Sequence, residues 1–190
     1  MTLPCFDSIT EVPDRFRGSG VLAASHGGVY VAYVALRLGL GGLIVSDAGV
    51  GRKRAGIAGL DVLAAHQVPA AAVCVHSARI GDGSDCLVRG IISFANRMAL
   101  DVGIRAGMPA REALQLMSTR RTQPTGALLP HLDVCRRRLP ESDGVDIVLA
   151  DSNSLIGRDD EGAIAITGSH GALLGGRPET AVRWPILAAI

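Results

Sequence analysis

Three short unbroken apolar runs, at residues 20–24, 43–45 and 71–75, fall within about 55 residues and are separated by stretches of helix length. No other feature constrains the fold as much. None of the runs alternates apolar with polar residues, so each is expected to be covered on both faces, as in a parallel sheet flanked by helices. The rhythm of strand, helix, strand, helix, strand calls for parallel βαβ units. The intervening segments agree with it. Residues 29–38 are apolar for long enough to form a buried helix, and Gly39 and Gly42 punctuate its end. A second helix is expected over 57–66.

Further along, the spacing predicts a helix over 85–100, with Leu87, Ile91, Ile92, Ala95 and Met98 on one stripe. Pro109 suits the first turn of another helix, running to Met117. Strands return at 146–150 and 163–167, and the apolar end 185–190 reads as a buried strand. Pro124, Gly126, Pro130 and Pro140 interrupt any periodic pattern in 119–143. The expected fold class is α/β: three layers, with a mostly parallel sheet of about six strands and helices on both faces. At 190 residues the chain reads as a single domain over 1–190, large enough to bury about 70% of its unfolded surface.

Composition narrows the partners. The formal net charge is +1, which argues against nucleic acid, whose phosphates demand a basic footprint. Arg120, Arg121, Arg136, Arg137 and Arg138 make one local exception, read as a solvated or oligomer-facing segment. No apolar run approaches the ~18 residues of a membrane span, and the first residues lack the pattern of a signal peptide. The cysteines, Cys5, Cys74, Cys86 and Cys135, have no CxxC spacing. A cytoplasmic protein with free thiols is therefore expected. Cys74 reads as a core residue. Cys86 sits near a helix start, but Asp82 and Asp85 oppose its ionisation. The alanine and glycine content permits close packing between subunits, so a homo-oligomer is expected.

A partial internal repeat runs through the chain, with units near 7–28 and 151–172. Asp7-Ser8 and Ser25-His26-Gly27 reappear 144 residues later as Asp151-Ser152 and Ser169-His170-Gly171. Thr10 answers to Ser154, and Gly18 to Gly162.

The polar residues of both units follow predicted strands, where ligands of open parallel sheets bind. Ser25, His26, Asp47, His76, Ser77, Asp151, Ser169 and His170 are the candidate catalytic residues. His26 and His170 are suited to general acid and base work, with Asp47 and Asp151 orienting them. Gly27, Gly28 and Gly171 are candidate backbone donors to an anion or oxyanion. Gly49, Gly51, Arg52 and Arg54 make a glycine-rich basic loop suited to a carboxylate or phosphate, and Arg79 is a further substrate contact or a partner for Asp82. A Walker loop, a GxGxxG fingerprint and a GxSxG elbow are all absent. His26, His76, His170, Asp47 and Asp151 include zinc and manganese ligand types, but no HExxH pair pre-organises them. No cofactor is expected, with a divalent metal as the alternative.

Together these residues point to an enzyme acting on a small polar, anionic metabolite. Hydrolysis of an acyl or C–N bond, or acid/base lyase or isomerase chemistry, is the expected reaction. The alternative is a non-catalytic module binding a nucleotide or organic acid, or a subunit of a larger assembly.

Overall fold

The computed structural model describes residues 3–118, 136–139, 144–168, 173–180, 184–186 and 188–189. The chain divides into two compact units. The first holds five strands, β1 (Cys5–Phe6), β2 (Gly20–His26), β3 (Gly42–Ser46), β4 (Ala70–Val73) and β5 (Ile92–Ala95), side by side in chain order. The pairs β1–β2, β2–β3 and β3–β4 are parallel, and β5 closes the sheet antiparallel to β4.

Alternation along the strands explains why their sequences carry no polar face. Val21, Ala23, Leu43, Val45, Ala70 and Ala72 pack with α1 (Val29–Leu38) and α2 (Ala58–Ala65). Leu22, Ala24, Ile44, Ala71 and Val73 pack with Cys86 of α3 (Gly83–Arg89) and with Ala113, Leu114 and Met117 of α5 (Ala110–Ser118). α1 occupies the expected residues and ends where Gly39 turns left-handed, its N–H reaching the Ala35 and Leu36 carbonyls.

The helix expected over 85–100 does not form. That stretch holds α3, then β5, then α4 (Arg97–Asp101). Asp82 caps α3 by accepting the Asp85 N–H, and Gly90 leaves the helix in an extended conformation. A Cβ on Gly90 would lie 2.2 Å from the Cys86 carbonyl oxygen. Asn96 then starts α4 and ties it to the sheet. Its Oδ1 accepts the Ala99 and Ala70 N–H groups, and its Nδ2 donates to the Leu60 and Val68 carbonyls. The open edge of β4 is what converts Ile92–Ala95 into a strand, a tertiary demand that overrides the helical stripe.

The second unit carries β6 (Arg136–Leu139), β7 (Ile147–Ala150), β8 (Ile164–Thr167) and β9 (Ala188–Ala189) in that spatial order. β7, β8 and β9 are parallel, and β6 runs antiparallel to β7. In place of one sheet of about six strands the protein therefore has two. Within the expected terminal strand, the described β residues are Ala188–Ala189. The basic residues Arg136, Arg137 and Arg138 are exposed, as expected of a solvated segment, and they form a strand paired with β7, with Arg136 and Arg138 also bonded to acidic side chains of their own unit.

The two units share local geometry. Cys5 and Phe6 pair with Leu22 and Ala23, and 144 residues later Leu149 and Ala150 pair with Ile166 and Thr167. Each crossover holds two 3-10 turns: Ile9–Glu11 and Asp14–Phe16 in one, Asn153–Leu155 and Arg158–Asp160 in the other. Ser8 and Ser152 cap the first turn alike, accepting the Thr10 and Ser154 N–H groups at 3.3 Å in both cases. Gly18 and Gly162 both take positive φ, at 74° and 77°. Among the described residues, no helix is long and apolar enough to cross a membrane.

Candidate functional site

The carboxyl ends of β2, β3 and β4 form one rim, since those strands are parallel. Ser25 and His26 are the last residues of β2. The buried Ser25 hydroxyl accepts the Ile9 N–H at 3.0 Å, which fastens the first 3-10 turn to the strand. His26 accepts the Gly28 N–H at Nδ1, at 3.1 Å. A ring nitrogen that accepts carries no proton, so the neutral imidazole bears its hydrogen on Nε2.

Gly27 and Gly28 differ from the expectation that their N–H groups are open to an anion. The Gly27 N–H donates to the Ser46 carbonyl at 2.9 Å, and that of Gly28 goes to His26. Both glycines serve close packing instead. A Cβ on Gly28 would lie 2.6 Å from His26 Cε1, and one on Gly27 would lie 2.8 Å from the Gly56 carbonyl oxygen.

Asp47 follows β3 and is 4% exposed. It does not meet a histidine through the bonds that hold it in place. Oδ1 accepts the Gly49 N–H at 2.9 Å and the Val75 N–H at 3.0 Å, while Oδ2 accepts the Ser93 hydroxyl at 2.8 Å. One carboxylate thus joins the loops after β3 and β4 to strand β5. Ser93 carries no signal in the sequence, since a serine inside the helix expected over 85–100 has no reason to face Asp47.

The loop that Asp47 opens is strained. Ala48, Gly49, Val50, Gly51, Lys53 and Arg54 all have positive φ, between 47° and 69°. For a β-branched residue such as Val50 this is a genuine outlier, and such positions cost about 1–3 kcal/mol each. The loop is held by its own hydrogen bonds, Val50 N–H to the Asp47 carbonyl and Gly56 N–H to the Val50 carbonyl. Gly56 is required at its root, since a Cβ there would lie 2.5 Å from the Asp47 carbonyl oxygen. Gly59, in the first turn of α2, donates to the Gly27 carbonyl at 2.8 Å and ties that helix to the His26 turn. Arg52 and Arg54 are exposed on this loop, and the Arg54 guanidinium lies 5.9 Å from the centre of the Phe94 ring.

The remaining candidates divide between structural and open roles. Ser77 donates to the Cys74 carbonyl at 2.7 Å and accepts the Ile91 N–H at 2.9 Å. Arg79 pairs with Asp82 at 3.3 Å and Asp85 at 3.6 Å, so it shapes the loop before α3. His76 is exposed on the turn after β4. Cys74 is half-buried instead of fully buried, and burial pushes the Cys86 thiol up to about 12, with Asp85 and Asp82 adding to it. Asp151 and Ser152 lie in the second unit, at the end of β7. Ser169, His170 and Gly171 lie outside the described residues. Among the described residues, no group of three or more His, Cys, Asp or Glu side chains is placed to hold a metal ion.

The fold and rim define an α/β protein with a mostly parallel five-stranded sheet and a strained basic loop beside a histidine turn. No family model matches the chain, and no curated protein or solved structure matches it.

Proposed function

We propose that the rim of the first unit binds a small anionic metabolite and that the Nε2–H of His26 donates a hydrogen bond to the oxygen on which charge develops. One observation carries this reading: the strained basic loop 48–54 leads directly into Gly56, whose carbonyl packs against Gly27 of the turn that fixes the His26 ring. Backbone strain of this kind clusters at ligand clamps and active sites. Arg52 and Arg54 supply the positive charge, and the Nε2–H of His26 supplies a donor able to polarise a bound oxygen. Acid/base lyase or isomerase chemistry follows from this better than hydrolysis through a serine nucleophile. Ser25 and Ser77 both use their hydroxyls on backbone groups.

The second reading, binding without turnover, is favoured by Asp47, whose carboxylate is occupied by Gly49, Val75 and Ser93. A thermal-shift panel of inorganic phosphate, pyrophosphate, small dicarboxylates and nucleoside phosphates, followed by turnover assays on the hits, separates the two. Binding that disappears in R52A/R54A, with turnover lost in H26A, supports the enzyme. Binding lost in R52A/R54A with no turnover of any hit leaves the binding module. Binding unaffected by R52A/R54A removes the site.

We also read the two crossovers as copies of one ancestral unit. Their equal strand register and matching serine caps support this, as does the shared order of three parallel strands, β1–β2–β3 and β7–β8–β9.

A further inference from the structure

In the second unit, Asp160 is a fully buried carboxylate at the end of the 3-10 turn Arg158–Asp160. Its Oδ2 accepts the Gly157 N–H at 2.8 Å. Its Oδ1 accepts from the Arg136 guanidinium at 2.6 Å and the Arg138 guanidinium at 3.0 Å. These arginines are two apart on β6 and so share a face of the strand. Arg136 also donates to the Leu155 carbonyl at 3.2 Å, and Arg138 to Asp146 at 2.6 Å.

The matching position in the first unit shows what this replaces. There Phe16 ends the equivalent turn and packs edge-to-face on Phe6, ring centres 5.3 Å apart. In the second unit Phe6 is answered by Ala150, which pairs in register with Arg136. A small residue and a buried acid thus stand where the first unit has two aromatic rings, and a strand carrying arginines has been added at the edge. We propose that the β7 edge with Asp160 is a recognition site for an extended Arg-x-Arg segment paired antiparallel, and that the chain's own β6 fills it. The backbone ladder gives the strand its general affinity, and Asp160 selects the arginines, as in other strand-addition sites. Although burial alone raises the Asp160 carboxyl, the Gly157 N–H and the two guanidiniums outweigh it and hold it below the usual range.

Amide hydrogen exchange on the full chain tests this. In D160N, which keeps an acceptor for Gly157, the β6 amides should exchange about ten-fold faster or more, as expected when a charge-assisted bond is lost. The β7–β8 amides should keep their protection, and R137A, altered on the opposite face, should match the wild type. β6 exchange in D160N within two-fold of the wild type, or raised equally by R137A, overturns the proposal. If D160N fails to fold, R138Q, which retains the Arg136–Asp160 pair, is read in its place. A several-fold rise confined to β6 supports the site, while no rise, or one shared by β8, overturns it.

Discussion

Phe16 and Asp160 stand 144 residues apart and end corresponding 3-10 turns of the two units, each donating its N–H to the carbonyl three residues before at 3.1 Å. The backbone is common to both positions, and the side chains do opposite things. Phe16 fills apolar space against Phe6, whereas Asp160 is buried with two arginines. The two units thus show the same turn geometry with different interactions, packing in one and charge in the other.

The serine caps should be energetically alike if the two crossovers are equivalent. Ser8→Ala and Ser152→Ala are each expected to cost about 1 kcal/mol, the ordinary value for losing a cap. Denaturant unfolding of both variants measures this. A cost at one site and none at the other would show that the shared geometry hides different energetics.

Gly28→Ala probes His26 without touching it. Gly28 has φ −74° and ψ 172°, which alanine adopts freely, so the backbone has no objection. The added methyl would instead meet the imidazole at 2.6 Å. The ring should swing away and lose its bond to the Gly28 N–H. Nitrogen NMR of the wild type should show Nδ1 unprotonated and Nε2 protonated in the neutral ring, with that preference weakened in G28A.

Asp47→Ala removes the acceptor for two backbone N–H groups and one hydroxyl. The loss is expected to be on the order of 3 kcal/mol, since buried donors are left without partners. Ser93→Ala should cost only about 1 kcal/mol, because Asp47 keeps both backbone donors. Thermal unfolding of the pair checks the ranking, and equal losses would mean that Asp47 acts only through Ser93.

Acid should loosen the start of α3. The Arg89 guanidinium, hydrogen-bonded to Asp85, draws that carboxyl from its ordinary 3.8 to about 2 against the opposing effect of burial, with the Arg79 N–H assisting. A carboxyl lowered by folding stabilises the native state above its ordinary value and loses that contribution as the pH falls toward 2. D85N should therefore show a smaller loss of melting temperature between pH 5 and about 2 than the wild type. An identical acid dependence would place the effect elsewhere.

The Cys86 thiol, buried and raised to about 12, is nearly all un-ionised at pH 8. Alkylation there should leave Cys86 unmodified in the native protein and modify it once denaturant opens the core. Mass spectrometry of the alkylated peptides reads this directly, and rapid native labelling of Cys86 would contradict the packing around it.

Periodicity and glycine placement, which are local properties, sufficed to locate β2, α1, β3, α2 and α5. Three unbroken apolar runs implied strands covered on both faces, and the alternation of Val21, Leu22, Ala23 and Ala24 between two cores is the outcome. The rim was legible for the same reason, because strand ends are readable from chain order. What those rim side chains bond to was not legible. Asp47 finds Val75 and Ser93, 28 and 46 residues away, and no spacing rule links them. Likewise the residues from Ile92 to Ala95 carry a helical stripe and become a strand, since the β4 edge offers hydrogen bonds that only the assembled sheet presents. The chain's own pattern determined which segments are strands and helices through burial periodicity. Tertiary structure decided the division into two sheets, the strand at β5 and the long-range partners of Ser25, Asp47, Asn96 and Asp160, because those depend on edges and donors supplied from distant sequence.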